Sequence, residues 1–99
     1  MEYEKYIYNR ILLYYDISEK IRSEILGLDD VDDITKFDVL LPFPDDIERT
    51  TDRLVEKYVE YLKNIKNSGT RDEIFAILDG LLERVAVYKN TLYDFYRNK

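Results

Sequence analysis

Ninety-nine residues, 45% apolar and 36% charged, are enough for one buried core in a single domain spanning residues 1–99. They exclude a disordered chain, and no apolar run approaches the ~20 residues needed to cross a bilayer. Histidine and cysteine are absent, which removes disulfides, thiolate and imidazole metal ligands, and any Ser–His or Cys–His nucleophile.

The first expected element is a helix over residues 3–27. Ile7, Ile11, Tyr14, Ile21, Ile25 and Leu28 keep a four-three rhythm with Ser18 on the missing beat, which puts them on one helical stripe. Ser18 reads as a serine bonded back to a helix carbonyl. Gly27 is expected to end the helix in a left-handed cap. Beside the core stripe, Tyr8, Leu12 and Tyr15 form a second line, and Leu13 points further away. These four residues are the candidate partner-binding side chains, since tyrosine brings large area with a polar tip. The competing expectation buries the second line beneath the segment Phe37–Pro44.

The connection over 28–44 is long for a bundle, where roughly 2–8 residues is usual. Its front, Asp29–Asp33, is acidic and its back, Phe37–Pro44, is apolar. Val31, Ile34 and Phe37 are spaced for a short fourth helix near 30–37, with aspartates suited to its start. Pro42 and Pro44 should push Leu41 and Phe43 into extended backbone, with a stray bridge allowed near Val39–Leu41. The segment is expected to lie on the bundle and bury Phe37, Leu40, Leu41 or Phe43.

A second long helix is expected over 46–67, with Asp45 as its N-cap and Glu48 completing a capping box. Ile47, Thr51, Leu54, Tyr58, Tyr61 and Ile65 make its stripe, and Asn67–Ser68–Gly69 stops it. Thr70–Arg71–Asp72–Glu73 then caps a third helix over 71–97. So short a link makes the second and third helices an antiparallel hairpin. The third stripe runs Ile74, Leu78, Leu81, Val85, Tyr88, Leu92 and Phe95. A neighbouring line, Phe75, Leu82, Ala86, Tyr93 and Tyr96, is expected to widen the buried face and make this helix the spine. Gly80 in its middle suggests close approach by a neighbouring helix or by Phe37–Pro44. The fold class is therefore all-α, a small bundle of three long helices.

Net charge is −6, and it is uneven. Met1–Gly27 has five acids and four bases, Leu28–Ile47 seven acids against Lys36 alone, and Glu48–Lys99 nine acids and ten bases. The whole excess thus sits in the connection. Scarce thermolabile residues beside many charges follow a hyperthermophile habit.

Function is read mainly by elimination. Carboxylate pairs such as Asp79 with Glu83 and Glu56 with Glu60 lack the Glu-x-x-His motif of di-metal bundles and interleave with bases. No catalytic, cofactor-binding or metal residue is assigned. Asp29–Asp33 offers hard oxygen donors but not the spacing of an EF-hand loop. A sequence pI near 4.6 opposes phosphate attraction, so no nucleic-acid partner is expected. No membrane partner is expected either, and the charged start Met1–Lys5, unlike a signal peptide, points to the cytoplasm. What remains is a non-enzymatic interaction module or small subunit that binds a protein partner or itself, with a dimer narrowly favoured. The alternative is a metal-dependent accessory protein or enzyme using the aspartate-rich 29–46 connection.

Overall fold

The computed structural model describes residues 2–64 and 68–98. Three long helices account for most of them: α1 (Glu2–Leu26), α2 (Pro42–Lys63) and α3 (Ser68–Arg97), with a π-helical turn at Thr35–Leu40 before α2. Among the described residues there is no strand, so the bridge expected near Val39–Leu41 does not form. The molecule is an all-α rod of 52 × 21 × 19 Å.

The helices run up, down and up. Antiparallel α1 and α2 are tied by the Arg22 guanidinium, which donates to Asp45 at 2.9 Å and Glu48 at 3.2 Å. At the far end the Tyr58 hydroxyl donates to the Glu4 carbonyl at 3.2 Å. Parallel α1 and α3 meet through longer side chains. The Tyr88 hydroxyl donates to Glu24 at 2.6 Å, and the rings of Tyr3 and Phe75 lie 5.7 Å apart.

The four-three stripes form the core. Ile7, Ile25, Ile47, Leu54, Ile74 and Leu81 are fully buried, each contributing about 1.5–3 kcal/mol of apolar transfer. Buried Ser18 donates to the Tyr15 carbonyl at 2.8 Å, as a helix-interior serine does. The spine, however, is α2 and not α3, because α2 packs closely against both other helices. Buried Thr50 and Thr51 are short enough to admit neighbours, and the Thr51 hydroxyl is satisfied by the Ile47 carbonyl at 2.7 Å.

Several boundaries depart from expectation. Pro42 and Pro44 do not extend the chain: Leu41 is helical at φ −62°, ψ −27°, and α2 starts at Pro42. Both prolines fall in the first turn, where a missing N–H breaks no helical bond. Asp45 is therefore inside α2, its N–H donating to the Leu41 carbonyl at 3.3 Å, and it is no N-cap. The short helix lies later than 30–37. The Leu41 N–H reaches back five residues to the Lys36 carbonyl at 2.8 Å, and this wider turn buries Leu40 while leaving Phe37 and Val39 exposed. Gly27 does not take the left-handed conformation; instead the Leu28 N–H closes a tight turn onto the Ile25 carbonyl at 3.2 Å. α3 begins at Ser68, two residues before the expected Thr70 cap. α2 ends at Lys63, and Ile65 and Asn67 lie outside the described residues.

Candidate interaction surface

The four candidate side chains on α1 divide between two faces, because successive helical residues are turned about 100° from one another. Tyr8 and Leu12 flank α2. Tyr15 lies opposite Asp52 and Tyr8 is near Tyr58, which turns this line of α1 towards α2. Tyr8 and Leu12 are 54% and 50% exposed, which shows that Phe37–Pro44 does not cover them. Val59 and Leu62 of α2 are exposed as well. Half-buried Tyr15 is drawn inward, its hydroxyl donating to the Asp52 carboxylate. Burial, then the hydrogen bond to that carboxylate and its negative charge, push the Tyr15 phenol up to about 12.

Leu13 lies on another face of α1, in line with Tyr6 and Arg10, and those two line a groove with Leu78, Asp79 and Leu82. Across the groove runs the line expected to be buried. Phe75, Leu82 and Tyr93 are 41%, 64% and 65% exposed, and Ala86 and Tyr96 are exposed too. The reason lies in the number of helices. One turn-step from the core stripe, this line would need a fourth element to cover it, and the chain has three. With Tyr6 and Leu13 beside them, these residues expose about 500–600 Å² at ~200 Å² per large side chain, the upper end of what a monomer usually shows. This stripe is the surface that reading the sequence for a buried core missed. Its signal was present: charged Asp79 and Lys89 occupy two beats of the same four-three line.

The aspartates of the connection act singly. Asp32 accepts the Thr35 N–H at 2.7 Å and so caps the π-helical turn; those hydrogen bonds from Thr35 hold its carboxyl below the ordinary range. Asp30 accepts the Tyr96 hydroxyl at 3.0 Å, and Asp46 accepts Arg84 Nε at 2.7 Å. Among the described residues no three carboxylates converge as a metal centre would require. A groove of about 410 Å³ between α2 and α3 is lined by Arg53, Lys57, Glu73, Gly80 and Arg84. Two of its cations are already neutralised, Lys57 by Glu73 at 2.6 Å and Arg84 by Asp46. No helix among the described residues is long and apolar enough to cross a membrane. Compared with protein-family models, with curated proteins and with solved structures, the chain finds no match.

Proposed function

We propose that the protein is a non-enzymatic interaction module, a small subunit or adaptor that works by presenting α3 and the adjoining face of α1 to another protein surface. The supporting observation is the exposed line Phe75, Leu82, Ala86 and Tyr93. Bare apolar area on that scale marks contact surfaces. Its composition fits the reading, since aromatic side chains are enriched where proteins meet. Leu13 belongs to this surface, while Tyr8 and Leu12 make a second, smaller edge beside α2.

A photo-reactive amino acid in place of Tyr93, introduced in the cells the protein comes from, tests this. The control places it at Arg49, whose side chain is exposed on α2 away from the α3 line. Discrete protein adducts from position 93 and not from position 49 are expected. Equal, diffuse labelling from both positions would overturn the reading.

A further inference from the structure

The exposed line on α3 has an order that ordinary apolar patches lack. Phe75, Asp79, Leu82, Ala86, Lys89 and Tyr93 follow each other at spacings of four, three, four, three and four, the rhythm of a coiled-coil seam. All six are exposed. The series reads aromatic, acid, apolar, apolar, base, aromatic, and reversing it exchanges only the acid for the base. Measured from the midpoint between Leu82 and Ala86, Asp79 and Lys89 stand equally far out, as do Phe75 and Tyr93. Among the described residues neither Asp79 nor Lys89 forms an ion pair within the chain. They are opposite charges on an apolar seam, placed symmetrically and outside any ion pair of the described residues.

Resting on the interaction-module reading, we propose that the occupant of this surface is a second copy of the same chain, docked antiparallel through α3. A two-fold axis between Leu82 and Ala86 sets each of them against the other's counterpart. It also brings Asp79 opposite Lys89 of the second copy, twice over, and Phe75 opposite Tyr93. Such a self-complementary patch is what a two-fold interface requires. The parallel alternative sets Asp79 against Asp79 and Lys89 against Lys89, like charges facing across a seam. It would also lay the two acidic connections side by side, whereas the antiparallel rod separates them by most of its 52 Å, far beyond the ~8 Å screening length of physiological salt. The contact has adequate extent. Phe75 to Tyr93 spans about 27 Å of helix. With exposed Asp79 and Lys89 added to the apolar area of the seam and its α1 flank, the face approaches the ~800 Å² per partner of a standard interface.

Light scattering on the purified chain is expected to give twice its 12.0 kDa mass at micromolar concentration. Asp79→Lys turns both attractions into repulsions and should raise the dimer Kd by at least ~10-fold with helical content unchanged, since the side chain is exposed. The double variant Asp79→Lys/Lys89→Asp restores opposite charges and should return the Kd to near wild type. Orientation is read from cysteine cross-links, which the cysteine-free chain makes unambiguous. Phe75→Cys and Tyr93→Cys chains should cross-link when mixed, and Phe75→Cys alone should not. Self-linking of Phe75→Cys, or a dimer that Leu12→Glu dissolves and Asp79→Lys does not, would overturn the arrangement. A wild-type monomer at 100 µM would overturn the second copy as occupant. If photo-adducts from position 93 then carry the mass of a different protein, the interaction module stands and only its partner changes.

Discussion

At Gly80 the structure replaces the expected neighbouring helix with something smaller. A Cβ there would lie 2.8 Å from Arg84 Nη1, so the guanidinium crosses the bare backbone on its way to Asp46. That obstacle is the far end of a flexible side chain, while glycine within a helix costs about 1 kcal/mol relative to alanine. Gly80→Ala should therefore stabilise the protein by up to about 1 kcal/mol, raising Tm by a few degrees in a thermal melt. A lower Tm would mean that the Arg84–Asp46 link outweighs the helix preference. The tyrosines carry a pH dependence. Tyr15 titrates near 10 when unfolded and at about 12 when folded, and burial with the Glu24 hydrogen bond pushes Tyr88 in the same direction. Between those values the unfolded chain holds fewer protons, so stability is complete below pH 10 and falls as pH rises towards 12. Tyrosinate absorbance should rise together with loss of helical circular dichroism in that window, and Tyr15→Phe should weaken the slope. Single residues were legible where their own helix decided them, as with Ser18. They were illegible where a distant partner did, as with Tyr15 and Asp52, 37 positions apart.

Elements were legible through periodicity, and their ends were not. Each four-three stripe became a helix within a few residues of its expected limits, because burial of one face outweighs local preference. The start of α2 moved to Pro42 because proline, a breaker inside a helix, is at home in its first turn. Which helix sits in the middle was also hidden. Stripe width suggested α3, whereas α2 earns the place through the small residues Thr50 and Thr51 and through Arg22 of α1 reaching Asp45 and Glu48. Its position makes a test. Leu54→Ala, at a fully buried site on the central helix, should cost about 2–5 kcal/mol in urea unfolding. Leu62→Ala on the same helix, at an exposed site, should stay within about 0.5 kcal/mol. Equal losses would contradict the orientation of α2.

For the molecule as a whole, the sequence told correctly that three helices form a bundle, and it could not tell what three helices leave uncovered. Which of two adjacent apolar lines faces inward depends on where the other helices lie, and no spacing within α3 carries that information. Leu12→Glu now has one expected result. Half-exposed and uncovered, Leu12 can take the charge with little change in Tm, and light scattering should leave the oligomeric state as in wild type. The acidic connection closes one end of the rod, where α1 stops and α2 begins, while residues 48–99 hold ten bases against nine acids. A lone chain is consequently a permanent electric dipole along its long axis. Two chains docked as proposed would cancel that moment and leave a quadrupole, negative at both tips. Dielectric relaxation should then register a strong dipole for a Leu82→Glu monomer and almost none for the proposed pair. On a cationic surface the monomer would stand upright on its acidic tip, while the pair would lie flat, anchored at both ends.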